Sequence, residues 1–143
     1  MKIVFFGSSR FAVKPLAGLV NAGFTPVCVV TQPDRHKARG MRPAGTAVKE
    51  ESLRLGIQVF QPENINDDAA LNFLKGINAD LFVVAAYGRM FSEQVLSLPG
   101  TMAINLHPSL LPKYRGAAPL NWALINGDKS TGVCVVRMVE RMD

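Results

Sequence analysis

The strongest constraint on the fold of this 143-residue chain is a regular return of short apolar runs separated by stretches with helical spacing. Lys2–Phe6, Pro26–Thr31, Gln58–Phe60, Asp80–Ala85, Thr101–Leu106 and Gly132–Met138 read as strands. Between the first two, Val13, Leu16, Ala17 and Val20 recur at i, i+3, i+4 and i+7. That is the apolar stripe of a helix over residues 10–21, which Ser8 or Ser9 would cap. Thr46 is placed to start a second helix that ends near Leu55-Gly56. Asn66 is placed to cap a third, with Asp67 and Asp68 favouring its dipole and Ala70, Leu74 and Ile77 on its inner face. Phe91–Leu98 reads as a short helix, and Pro119 opens a last one closed by Gly127, with Leu120, Trp122, Ala123 and Leu124 as packing residues. Strands and helices alternating at these lengths specify an α/β fold, a doubly wound and mostly parallel sheet. Asp80–Ala85 is apolar almost throughout, as a central strand buried on both faces must be.

The composition excludes several classes. With 48% hydrophobic and 19% charged residues, the chain is a folded globular domain and not a disordered segment. No apolar run approaches the ~20 residues of a membrane-spanning helix. The opening Met-Lys-Ile-Val-Phe-Phe-Gly is too short an apolar stretch for a secretory signal. Cys28 and Cys134 each lie in a Val-rich strand and are expected as buried thiols, which fits a reducing cytoplasm. His36 and His107 are far apart and no cysteines pair in sequence, so no metal-ligand spacing is present. No repeat, low-complexity tract or interdomain linker divides the chain.

The net charge of +5 is localised. Residues 35–49 hold Arg35, Lys37, Arg39, Arg42 and Lys49 with no acidic residue, and the remaining eleven basic residues match the eleven acidic ones. A positive segment that also carries Gly40, Pro43 and Gly45 suits a polyanion such as RNA or DNA; a solvated loop is the plainer alternative.

In open α/β sheets, ligands bind outside the carboxyl ends of strands. Four expected strand ends carry unusual residues: Gly7-Ser8-Ser9, Ala86-Tyr87-Gly88-Arg89, Asn105-Leu106-His107 and Arg141-Met142-Asp143. Residues i and i+2 of a strand share a face, so Asn105 and His107 stand side by side. An amide able to donate to an oxygen and an imidazole able to move a proton form a candidate pair for acyl-type chemistry. Pro108 and Pro112 stiffen the loop that follows. Asp143, if it reaches His107, would raise the imidazole pKa and fix its tautomer. A satisfied structural histidine and a solvated chain end are the alternatives. Gly88, lacking a side chain, would let its backbone approach a flat ligand, or it serves an ordinary strand-to-helix turn. The Gly7 turn lacks Gly-x-Gly-x-x-Gly, with Ser9 and Phe11 where glycines would stand, so it reads as structural and not as a dinucleotide site.

Together these residues resemble the formyltransferase family that uses 10-formyltetrahydrofolate. Asn105-Leu106-His107-Pro108-Ser109-Leu110-Leu111-Pro112 is similar to the family's characteristic run. Asp143, after Met138-Val139-Glu140-Arg141-Met142, matches the position of its third catalytic residue. Within the family, three features resemble the branch whose acceptor is methionyl initiator tRNA: Lys113-Tyr114-Arg115-Gly116-Ala117-Ala118-Pro119, Val84-Ala85-Ala86-Tyr87-Gly88, and Thr31-Gln32-Pro33-Asp34-Arg35 leading to Arg39-Gly40.

The resemblance implies a Rossmann-like formyltransferase fold and formyl transfer from 10-formyltetrahydrofolate, a co-substrate, to the α-amine of initiator methionyl-tRNA in translation initiation. It implies catalytic roles for Asn105, His107 and Asp143. It places Tyr87, Gly88, Arg89, Met90, Ser109, Leu110, Leu111 and Pro112 around the co-substrate, and Arg35, Lys37, Arg39 and Arg42 against tRNA. It implies no metal, no membrane, a cytoplasmic location, and a monomer in the full-length enzyme. Where the family's loop reads Gly-Arg-Gly, this chain has Ala38-Arg39-Gly40. Complete members carry a C-terminal β-barrel domain that also holds tRNA, so residues 1–143 are expected to be an incomplete N-terminal catalytic domain. The rival readings are a sibling folate-dependent formyltransferase, a formyltetrahydrofolate hydrolase domain, and a non-catalytic fragment that binds folate or RNA.

Overall fold

The computed structural model describes residues 1–36 and 43–139, with the side chains of His36 and Pro43 excepted. Its elements run β1 (Ile3–Gly7), α1 (Arg10–Asn21), β2 (Cys28–Val30), β3 (Arg35–His36), β4 (Pro43–Ala44), α2 (Ala47–Arg54), β5 (Val59–Phe60), α3 (Asp68–Ile77), β6 (Leu81–Ala85), α4 (Glu93–Leu96), β7 (Met102–His107), α5 (Pro119–Ile125) and β8 (Cys134–Arg137). The main sheet has the order β5-β2-β1-β6-β7-β8. Five strands are parallel and β8 is antiparallel to β7. The chain winds outward from β1 to β2 and β5, then crosses back to β6 on the other side of β1. That reversal makes a topological switch point at the carboxyl ends of β1 and β6.

β1 is central because it is apolar on both faces, and all five of its residues are buried. On one face Ile3, Phe5, Val29, Val83 and Ala85 meet Ala12 and Leu16 of α1 and Val48 of α2. On the other, Val4, Phe6, Cys28, Val30, Phe82 and Val84 meet Ala70, Leu71 and Leu74 of α3 and Val95 of α4. The Phe6 ring lies 4.9 Å from Phe82 and 5.1 Å from Phe91, centroid to centroid. Such tilted and edge-to-face pairs each add roughly 0.5–1.5 kcal/mol beyond area burial. Gly7 is dictated by packing. A Cβ there would stand 2.8 Å from the Ala12 Cβ and 3.0 Å from the Ala85 carbonyl oxygen, so α1 could not start so close to the sheet.

The structure departs from the sequence expectations at definable points. The basic segment contains a short antiparallel hairpin, Arg35 opposite Ala44 and His36 opposite Pro43, where a loop was expected. Two residues per strand are too few to leave a period-2 pattern. Asp67, not Asn66, caps α3, accepting from the Ala70 N–H at 2.7 Å. Ser9 occupies the N-cap position of α1 without a side-chain cap bond, and the Ser8 hydroxyl donates instead to the Tyr87 carbonyl at 3.2 Å. The expected helix Phe91–Leu98 shortens to Glu93–Leu96, capped by Ser92. Cys28 is buried, but Cys134, on the edge strand, is only half-buried. In α5, Trp122 is 51% and Leu124 is 78% exposed, so of the expected packing residues only Ala123 is buried. No described helix is long and apolar enough to cross a membrane.

Candidate active site

The register of the sheet builds the site. Val84 on β6 pairs with Asn105 on β7, so the turn after β6 begins beside the end of β7. Asn105 pairs in turn with Val136, and His107 with Cys134, which puts amide and imidazole on the face that carries α3 and α4. Asn105 is half-buried and His107 is 4% exposed. The Nε2 of His107 lies 2.9 Å from the Tyr114 carbonyl oxygen. A carbonyl only accepts, so Nε2 carries the hydrogen and Nδ1 is the atom at which the ring gains or loses a proton.

The loop that supplies this carbonyl is held from within. Ser109 is fully buried; its N–H donates to the His107 carbonyl at 2.9 Å and its hydroxyl to the Lys113 carbonyl at 2.7 Å. The Leu111 N–H donates to Cys134 Sγ at 3.4 Å, fastening the loop to the edge strand. The Leu111–Pro112 peptide is cis. Leu110 is 52% exposed, and Pro112 is exposed beside it. The Tyr114 hydroxyl donates to Asp128 Oδ2 at 2.9 Å, and with Leu110 and Lys113 it borders a hollow of about 330 Å³.

The turn after β6 is the second component. Ala86 (φ 46°) and Gly88 (φ 78°) are both left-handed. Left-handed backbone at the non-glycine Ala86 is uncommon and concentrates at functional turns. The Tyr87 side chain turns inward, stacking on Phe91 at 5.7 Å and meeting Phe6 edge-on. Burial pushes its phenol up to about 12, against the opposing pull of the Arg89 charge. What this turn offers a ligand is therefore the exposed backbone of 88–90 and the exposed Arg89 and Met90 side chains.

A cleft of about 400 Å³ opens at the switch point, lined by Ser8, Gln32, Arg35, Thr46 and Gly88 among others. Arg35 is thus tied to the strand ends. Lys37, Arg39 and Arg42 lie outside the described residues, as does Asp143. Because β8 is antiparallel, it runs back along β7 away from His107, with Cys134 opposite His107 and Arg137 opposite Ile104. The strand-end rule therefore does not by itself place Asp143 beside His107. Among the described residues, no cluster of His, Cys, Asp or Glu could hold a metal.

Sequence reasoning missed the groups that brace these segments. The Gln32 Nε2 donates to the Tyr87 carbonyl at 2.7 Å, and Asn66 accepts from the Ser92 N–H at 2.8 Å and donates to the Met90 carbonyl at 3.0 Å. An amide 24 to 55 residues from its partner leaves no local pattern.

The chain is 48% identical over its full length to a methionyl-tRNA formyltransferase of Caldanaerobacter subterraneus subsp. tengcongensis, and covers 47% of that protein. It is likewise 48% identical over its full length to the methionyl-tRNA formyltransferase of Thermotoga neapolitana, covering 46% of it. The chain therefore spans about half the length of the curated relatives it matches. In fold it is similar to the phosphoribosylglycinamide formyltransferase of Bacillus halodurans, with a TM-score of 0.77 at 22% identity over 100% of this chain and 74% of that one. The family profile described as Formyl transferase matches residues 1–143, and on that whole-chain agreement in sequence the chain belongs to the formyl transferase family.

Proposed function

We propose that this chain carries the catalytic half of an enzyme that moves a formyl group from 10-formyltetrahydrofolate to the α-amine of methionyl initiator tRNA. The observation that carries the reading is the juxtaposition of Asn105 and His107 at the end of β7 beside the 86–90 turn, whose residues 88–90 are exposed. Whole-chain similarity to methionyl-tRNA formyltransferases supports the choice of acceptor.

In the reaction the amine nitrogen attacks the formyl carbon, and the carbonyl oxygen becomes an oxyanion. The Asn105 amide donates a hydrogen bond to that oxygen, a contribution of about 3–4 kcal/mol at a typical oxyanion site. Collapse breaks the bond from carbon to N10 of the folate. The amine gives up one proton and N10 takes one. His107, with Nε2–H anchored on the Tyr114 carbonyl, uses Nδ1 to take up the amine proton and, once protonated, to donate to the oxyanion or to N10, a general acid–base effect of about 10²–10⁴-fold. Asp143, assigned by motif position, would act beside that pair by ordering a water that carries the proton.

The co-substrate's ring would lie along the backbone of Tyr87–Met90, and Ser109–Pro112 would form the wall. Ser109 acts there through the loop it braces, since its hydroxyl is already bonded. Arg35, Lys37, Arg39 and Arg42 would meet tRNA phosphates. The complete protein would be soluble, cytoplasmic and monomeric.

The test is a competition assay in the full-length chain, with charged initiator tRNA, glycinamide ribonucleotide and water as acceptors. Preference for the tRNA is expected. Preference for either other acceptor would reassign the enzyme to a sibling activity, and folate binding without turnover would leave only a binding module. Neutralising the four basic residues should make tRNA binding less sensitive to salt, the slope falling by roughly one for each phosphate no longer neutralised.

A further inference from the structure

The turn proposed to receive the folate is clamped from both sides by the amide side chains of two residues that do not belong to it. Gln32 leaves the end of β2 and crosses the switch point. Its Nε2 donates to the Tyr87 carbonyl at 2.7 Å and sits 3.4 Å from the Gly88 carbonyl. It lies so close that a Cβ on Gly88 would stand 2.7 Å from that nitrogen. Gln32 is itself fixed: its N–H donates to the Ser8 hydroxyl at 3.1 Å, and its carbonyl accepts from Gln61 at 2.9 Å. Asn66, just before α3, makes a two-bond bridge to the other end of the turn, accepting from Ser92 N–H at 2.8 Å and donating to the Met90 carbonyl at 3.0 Å. The segment 87–92 therefore hangs between two external amides, while its middle, residues 88–90, is exposed.

We propose that Gln32 and Asn66 are positioning residues that preset the backbone of 87–92 for the co-substrate. The proposal rests on the functional reading above. A turn with left-handed residues at Ala86 and Gly88 has several alternative conformations once unrestrained. Fixing one of them before the ligand arrives removes an ordering cost from binding. The amides also engage the carbonyls of Tyr87, Gly88 and Met90, which leaves the N–H groups of 88–90 and the Arg89 carbonyl as the edge read by the ligand.

The experiment uses near-isosteric changes that remove one donor each, Gln32→Glu and Asn66→Asp, in the full-length chain. A carboxylate at either place faces a main-chain carbonyl and cannot donate to it. The dissociation constant for 10-formyltetrahydrofolate is measured by titration calorimetry, steady-state KM and kcat are measured at saturating acceptor, and folding is followed by thermal unfolding. The expected result is a folate Kd and KM raised about tenfold by each change, with kcat at saturating folate and KM for the acceptor held within about threefold. Ser97→Ala, whose hydroxyl donates to the Gln94 carbonyl on the surface away from both amides, should leave the folate Kd within the same margin. Unchanged folate Kd in both variants would overturn the proposal, as would a fall in kcat and thermal stability at constant Kd, the mark of a merely structural role. Failure of the unaltered chain to bind folate would overturn the functional reading itself and the proposal with it.

Discussion

Ser109 offers the sharpest test of how the loop after β7 serves His107. Its hydroxyl is buried and donates to the Lys113 carbonyl, one residue before the carbonyl that holds Nε2 of His107. Ser109→Ala removes that donor. The lost bond is worth about 1 kcal/mol, rising to about 3 kcal/mol if no water reaches the carbonyl left behind. At roughly 4 °C per kcal/mol for a domain of this size, the unfolding midpoint falls by roughly 4–12 °C. Ser97→Ala is the control: its hydroxyl makes the same kind of bond, to the Gln94 carbonyl at 2.9 Å, but on the surface. That change should cost under about 0.5 kcal/mol, or about 2 °C. Calorimetry of the two variants decides the matter. Equal midpoints would refute the claim that Ser109 braces the loop. Unaltered His107 NMR shifts in Ser109→Ala would refute the link from Lys113 through Tyr114 to the imidazole.

Three further outcomes follow from the same structure. Phe6→Ala removes a fully buried ring that meets Phe82, Tyr87 and Phe91, and should cost about 3–5 kcal/mol in chemical denaturation. A loss under about 1 kcal/mol would mean the aromatic cluster is not the centre of the core. Asp34 is held below its ordinary value by its hydrogen bond from Gln61 and by Lys49, and Glu51 by Arg54. A carboxyl depressed in the folded state stabilises the fold above its unfolded pKa, and that contribution is lost as pH falls through the folded value. Stability should therefore decline below about pH 4, and Asp34→Asn should flatten that decline; an unchanged acid limb would exclude the Asp34 contacts as its source. Burial pushes the Cys28 thiol up to about 11, while Cys134 is half-buried. A thiol reagent at pH 8 should label Cys134 in the native protein and Cys28 only after denaturant, and native labelling of both would contradict the packing of β2.

The sheet was legible because its strands are continuous apolar runs and α1 repeats Leu16 and its neighbours at helical spacing. The bounds of α1 coincide with the expected 10–21, and Thr46 caps α2 as expected, accepting from the Lys49 N–H at 3.0 Å. Asn105 and His107 could be placed side by side because i and i+2 share a strand face whatever the tertiary context. The direction of β8 could not be read, since an edge strand of four residues carries no mark of its polarity relative to its neighbour. Nor could the exposure of Trp122. Apolar spacing shows that a helix has a sticky face, not what covers it. The amides of Gln32 and Asn66 were invisible for a third reason: their partners are main-chain carbonyls and N–H groups, which every residue has.

The most direct measurement is single-turnover formyl transfer by the full-length chain carrying Asn105→Ala or His107→Ala, alongside the folate dissociation constant. If these two side chains are the reacting centre, the rate falls about 10²–10³-fold for Asn105 and about 10²–10⁴-fold for His107, while folate Kd stays within about threefold. A folded variant of either kind that transfers formyl within about threefold of the unaltered chain would contradict the assignment of the strand end as the site of chemistry.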